Sequence, residues 1–389
     1  MVPVNTYRVA IVGTGEIASE HAAALRRLSD RARLVGAVDV DEARVAEFAR
    51  RWDVPSSFEA LTRLLASETL DVVHICTPPS THVPLALECL SAGVVPLLEK
   101  PPALSLEQLD ALLDAERRSG VPVAVVFQHR FGGVPVRLRE APTRAALGRP
   151  LVATCNTLWF RDDEYYATPW RGSWASEGGG PTMGHGIHQF DLLLSILGDW
   201  QLVTALAGRQ SRPTETEDVS AAVVRFANGA IATILNSLVS IRETSYLRID
   251  YENATVELEH LYGYTDADWR VTGLDGRALP ALTASREGAE TSSHVSQLRA
   301  VLDALDRGDA PPSPSPTPAG RSSWRQRSTH PRSAAGRFAP ATSRRAPLLL
   351  EHAGHGCPVA RCRSTGWLRS RRARPSGPCR RRTSNGWRS

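Results

Sequence analysis

From Tyr7 to Phe127 short β-branched runs alternate with amphipathic stretches. RVAIV precedes a helix from Ile17, LVGAVD one from Asp41, VVHIC one near Val83 and VVPLLE one from Ser105, and PVAVVF closes the series. Continuous apolar runs separated by helices predict strands buried on both faces, hence a parallel, doubly wound sheet. Ser105 and Gln108 have the spacing of a capping box. After Pro150 the runs become longer and alternate: LVATCNTLWF, DVSAAVVRF, AIATILNSLVS, YLRIDY and ATVELEHL. They predict an α+β domain with a large, open, mostly antiparallel sheet, one face left for substrate or a partner subunit. Asn228-Gly229 reads as a hairpin turn of the primed type, and SHVSQLRAVLDALDRG as an amphipathic helix stopped by Gly308. The expected organisation is a doubly wound domain over 1–127, a second domain over 128–308, and a tail over 309–389. A chain of 389 residues exceeds the roughly 250–300 that one core usually serves.

Charge changes the reading of the tail. Residues 309–389 hold 17 basic residues and two acids, a net +15, whereas residues 1–308 hold 29 basic and 39 acidic residues, a net −10. The acidic body argues against nucleic acid as a functional partner, and the basic segment, rich in Pro, Ser, Arg and Gly, has the composition of a chain that cannot bury a core. It also reads as a frame change. Codons for ADARRALELATAIHASAF, an amphipathic helix, can spell PTPAGRSSWRQRSTHPRS one nucleotide out of phase, and that is residues 316–333. The change would fall between Pro311 and Pro316, and the gene's DNA sequence tests it.

No apolar run approaches the roughly 20 residues of a membrane span, and the first strand starts within a few residues of Met1, so a cytoplasmic enzyme is expected. Cys76, Cys89 and Cys155 read as buried thiols. The chain contains one lysine, Lys100, among basic residues that are otherwise all arginine. Arginine replaces lysine easily on a surface but cannot offer a compact ammonium of adjustable pKa, so Lys100 is a functional candidate.

VGTGEIA follows the first strand and opens the first helix. Gly13 permits the tight turn, Gly15 lets backbone approach a pyrophosphate, and Thr14, Glu16 and Ile17 complete the expected contacts at the helix N-terminus. Asp39 ends the second strand where an acid would hydrogen-bond an adenosine ribose, and with Asp41 nearby it favours NAD over NADP, a preference that Arg44 tempers. TPPSTH places Thr77, Pro78 and His82 at the carboxyl edge of the sheet, and LLEKPPAL places Glu99 and Lys100 on the same edge. Downstream, Ile187, Phe190, Leu194 and Leu197 follow a helical period, while His188 and Asp191 share another face behind the Gly178-Gly179-Gly180 loop, read as flexible. His188 at a helix start is suited to take a hydroxyl proton. The spacing of His185, His188 and Asp191 does not put all three on one face, so no metal is assigned.

GTGEIA, ICTPPSTH, LLEKPP and GGGPTMGHGIHQFDLLL, in this order, resemble the Gfo/Idh/MocA oxidoreductases over roughly residues 5–308. The resemblance implies a Rossmann domain, a C-terminal domain whose open sheet serves homo-oligomer contacts, and hydride transfer between a nicotinamide cofactor and a sugar, cyclitol or related polyol. It implies that Lys100 touches both nicotinamide ribose and substrate hydroxyl, and that Trp170 and Arg171 lie near the cofactor. One departure stands out: the family commonly carries Asp four residues before the histidine, where this chain has Gly184 followed by His185, so His185 or a water is expected to take part of that role. Arg161, Asp162, Tyr165, Tyr166, Tyr262 and Tyr264 are candidate substrate lining. The rival readings are an NAD-dependent glycosidase of the same fold and a non-catalytic NAD(P)-binding sensor.

Overall fold

A computed structural model describes residues 6–260, 262–279 and 291–312. The expected frame change and most of the basic tail lie outside the described residues. The first sheet is built from β1 (Tyr7–Val12), β2 (Ala32–Val38), β3 (Ser56–Phe58), β4 (Val72–Ile75), β5 (Val95–Leu98) and β6 (Ala124–Val125). All neighbours pair in parallel, in the order β3-β2-β1-β4-β5-β6. Strand order reverses between β1 and β4, which opens a crevice at their carboxyl ends. The edge strand β3 escaped the sequence reading because its three residues carry no apolar run. Asp41 caps the helix Glu42–Trp52 by accepting from the Arg44 amide, and Ser105 caps Leu106–Ser119 by accepting from Gln108. Only half of the expected capping box forms, because the Gln108 side chain turns to the Leu104 amide.

The second sheet contains β7 (Pro150–Phe160), β8 (Trp200–Gly208), β9 (Val219–Phe226), β10 (Ile231–Ser237), β11 (Val239–Tyr251), β12 (Ala254–Leu258) and β13 (Trp269–Gly273). Its order is β13-β12-β11-β7-β10-β9-β8, antiparallel except where β10 runs parallel to β7. One face packs on the helix Ile187–Leu197, with Leu192, Leu193 and Leu197 buried against Ala153, Cys155, Ala232, Leu247 and Ile249. On the opposite face the register aligns Val152, Leu202, Leu206, Val223 and Ile231, all substantially exposed. The β9–β10 connection is a hairpin, but not with a primed turn. Gly229 alone has positive φ (92°) while Asn228 does not, and the Gly229 amide donates to Phe226, so the loop is a type I turn closed by a left-handed glycine.

The helix His294–Asp306 returns to the first sheet. Val295, Leu298, Val301 and Leu302 bury against Ala18, Ala22 and Leu25 of the helix Glu16–Arg27. At about 1.5–3 kcal/mol for each large side chain, this burial makes the helix part of the first core. Arg31 ties it down through Asp303 and Asp306 at 2.9 and 2.7 Å.

Candidate functional site

The carboxyl edge of the first sheet, the helix Ile187–Leu197 and the segment around Tyr262 enclose a continuous cleft of about 1440 Å³. Gly13 has φ 85°, and a Cβ there would lie 2.9 Å from the Cys76 carbonyl, so only glycine fits the crossing of β1 and β4. Gly15 caps the helix Glu16–Arg27, and a Cβ on it would meet no protein atom within 4 Å. Free amides facing open space at a helix N-terminus fit a dinucleotide pyrophosphate. Gly13, Gly15, Glu16, Ile17, Asp39, Thr77 and Pro78 all line this end of the cleft. Burial pushes the Asp39 carboxyl up, but hydrogen bonds from the Thr14 amide and hydroxyl and the Asp41 amide prevail and hold it below the usual range. Arg44 lies 3.7 Å from Asp39 and 3.2 Å from Asp41, so two carboxylates already occupy its charge.

Two expected cofactor contacts sit behind this wall. The Thr14 hydroxyl is turned inward to Asp39 at 2.9 Å. His82 is fully enclosed, its ring nitrogens 2.8 Å from the carbonyls of Thr77 and Pro101, so it braces the two loops that face the cleft and touches nothing in it.

Glu99 and Lys100 end β5, and the Lys100–Pro101 bond is cis. They do not form the surface ion pair that adjacent opposite charges suggest. Glu99 is buried and accepts from His21 Nε2 at 3.0 Å, with His294 Nε2 at 3.7 Å from the same oxygen. A carboxylate only accepts, so His21 carries its proton on Nε2 and its Nδ1 accepts from His74 Nδ1 at 2.9 Å, leaving His74 Nε2 buried without a partner. Burial raises the Glu99 carboxyl, but these imidazoles outweigh it and keep it well below the usual range. Ligating atoms of His21, Glu99 and His294 lie within 4.8 Å of one another, a grouping no short-range spacing announced.

Lys100 Nζ donates to the Gly184 carbonyl at 2.8 Å. Burial lowers its pKa, partly countered by Glu99. Across the cleft, a π-helical turn Thr182–Gly186 leads into the helix that begins at Ile187, a geometry frequent at functional sites. His188 is buried beside His129, Phe127 and Tyr262, with ring centroids 5.2, 6.3 and 5.6 Å away, and its Nδ1 lacks a partner. Burial first and the Lys100 charge second push its pKa well below 6.5, so the imidazole is neutral. His185 Nε2 lies 3.0 Å from the Tyr165 hydroxyl, which also accepts from Arg171. Trp170, Arg171, His185 and His188 all border the cleft.

Asp191 is directed to Arg130, 2.6 Å from its Nε, and takes no part in the His188 group. The glycine loop is fastened at Gly180. The Gly180 amide donates to buried Glu217 at 2.9 Å, and a Cβ on Gly180 would collide with the Glu217 backbone. Tyr264 is fully buried in the second core, its hydroxyl donating to the His129 carbonyl, so of the aromatic candidates Tyr262 reaches the cleft and Tyr264 does not. Glu177 was missed. It lines the cleft 5% exposed, directly before the glycine run, which is the one sequence signal that could have marked it.

A switch-point crevice with a glycine turn, an acid at the end of β2 and a lysine at the end of β5 defines a dinucleotide-binding oxidoreductase. Residues 7–127 match the oxidoreductase family with an NAD-binding Rossmann fold, and residues 136–257 match the GFO/IDH/MocA C-terminal domain. The chain belongs to the Gfo/Idh/MocA family. It is 26% identical to the D-glucoside 3-dehydrogenase of Escherichia coli over 321 residues, 76% of this chain and 87% of that one. It is 28% identical to inositol 2-dehydrogenase 2 of Paenarthrobacter aurescens over 330 residues, 78% of this chain and 89% of that one. Among solved structures, the WlbA dehydrogenase from Bordetella pertussis, in complex with NADH and UDP-GlcNAcA, superposes with a TM-score of 0.68 at 26% identity, covering 79% of this chain and 91% of that one.

Proposed function

We propose that this protein interconverts a secondary alcohol and a ketone on a sugar or cyclitol, with Lys100 and His188 at the reaction centre. The observation that carries this reading is the convergence of the chain's sole lysine and a neutral, partner-free imidazole on one cleft beside an open helix N-terminus. NAD, when bound, supplies the hydride acceptor or donor. His188 takes the hydroxyl proton as the carbinol carbon is oxidised, which its neutral state allows. The Lys100 ammonium, fixed by the Gly184 carbonyl, stabilises the developing alkoxide. Gly13, Gly15, Glu16, Ile17, Asp39, Thr77, Pro78, Trp170 and Arg171 hold the cofactor, with Thr14, His82 and Glu99 supporting from behind. The sugar or cyclitol class rests on the relatives' substrates. The exposed apolar face of the second sheet supports a homo-oligomer, since a contiguous patch of this kind marks an interaction surface. Three buried free thiols suit a reducing cytoplasm.

The test is titration with NADH and NADPH, followed by myo-inositol, methyl glucosides and UDP-sugars read at the nicotinamide absorbance, with Lys100→Ala as control. Tight NADH binding with Lys100-dependent turnover is expected. NADH binding without turnover of any polyol would overturn the assignment of a dehydrogenase.

A further inference from the structure

We propose that Glu177 is a third functional group of the reaction centre, a carboxylate that accepts a hydrogen bond from a substrate hydroxyl next to the reacting carbon and sustains the charge of Lys100. The proposal rests on the reading of Lys100 and His188 given above.

The two oxygens of Glu177 have different surroundings. Oε2 accepts from the Gly172 amide at 2.7 Å, which accounts for a structural half of the side chain. Oε1 has only Arg171 Nη1 at 3.6 Å, and that guanidinium is already engaged with the Tyr165 hydroxyl and stacked on the Tyr165 ring. Glu177 borders the cleft, so a ligand hydroxyl can reach the oxygen that lacks a close donor and supply one. Oε1 faces Gly184, which also lines the cleft. It lies 3.5 Å from where a Cβ on Gly184 would stand, and the carbonyl of Gly184 holds Lys100 Nζ. The space an acidic side chain at 184 would enter is thus reached by an acid from another element, the short helix Trp174–Glu177. Burial pushes the Glu177 carboxyl up while Arg171 and Lys100 pull it down, and Lys100 feels Glu177 in return, so the two groups are electrostatically linked across the cleft. No proton or electron passes through Glu177 in this role, since the hydroxyl proton goes to His188. The consequence for substrate is a preference for vicinal diols over isolated alcohols.

Because Lys100 is the sole lysine, an amine-reactive reagent followed by peptide mapping reports its ionisation without interference from any other side chain. The variants are Glu177→Gln, which keeps an acceptor for the Gly172 amide but removes the charge, and Glu177→Ala combined with Gly184→Asp, which moves the carboxylate to the other backbone position. In Glu177→Gln the pH midpoint of Lys100 labelling falls, and kcat/KM with a polyol substrate drops about 100-fold, the scale of losing one aligned polar group at a reacting centre. In the double variant the labelling midpoint moves back up and at least a tenth of the lost activity returns. A labelling midpoint unchanged in Glu177→Gln, with the melting temperature preserved, overturns the proposal. So does a double variant that restores neither readout, because the carboxylate would then serve only the Gly172 turn. Turnover that survives Lys100→Ala sinks the parent reading instead, and the labelling series separates that result from a failure of Glu177.

Discussion

Lys100 stands between two buried carboxylates that the protein treats in opposite ways. On the side of the first sheet, Glu99 is hydrogen-bonded by His21, flanked by His294 and held well below the usual carboxyl range. Across the cleft, Glu177 has one oxygen on a backbone amide and the other on no close donor, and burial raises it. A charge enclosed by its own partners is committed to architecture, whereas one that lacks a partner on one oxygen is available to a ligand. Sequence distance does not explain the contrast, since Glu99 adjoins Lys100 and accepts from its backbone amide at 3.2 Å, yet gives its other oxygen to His21.

The sharpest way to break this comparison is to remove its centre. Lys100→Ala should lower kcat/KM by roughly 10³–10⁴-fold while NADH affinity, measured by fluorescence titration, stays within about tenfold. Next in size, Glu99→Ala strands His21 and His294 around a lost carboxylate and should cost about 3–5 kcal/mol in chemical denaturation. Glu177→Gln, which keeps the acceptor for Gly172, should cost about 1 kcal/mol or less. Equal losses in the two variants would erase the distinction between architectural and available charge.

Acid should expose both sides together. His21, His74, His82, His129, His185 and His188 all have pKa values lowered below 6.5, chiefly by burial. Below 6.5 the unfolded chain binds protons that the folded chain refuses, so stability falls as pH drops through that value, by about 1.4 kcal/mol per pH unit for each imidazole until its folded pKa is reached. Urea titrations between pH 7.5 and 5.5 measure the slope, and His129→Asn should remove one group's share from it. Asp39→Ala should weaken NADH about tenfold by removing an oriented ribose acceptor, a smaller loss than any at Lys100. Smallest in its effect on chemistry, Leu206→Glu on the open sheet face should leave turnover within about twofold while shifting the mass measured by light scattering.

Local chemistry was legible in the chain before any fold was known. The Gly13 turn, the Ser105 cap and the strand-ending prolines after Thr77 each depend on backbone geometry or on hydrogen bonds between near neighbours, and such constraints are written in short spacings, while Lys100 was marked by composition alone. The alternation of apolar runs likewise specified a doubly wound sheet followed by an open one, because periodicity states which face of an element is buried. Periodicity does not state what that face is buried against. Only the tertiary structure returned the helix His294–Asp306 to the first core, set His294 beside Glu99, sank Tyr264 below the cleft and pinned Gly180 on Glu217. The same holds for Glu177 and Gly184: which acid reaches the space beside Lys100 depends on the path of a backbone between elements, and side-chain packing, not sequence spacing, settles that path.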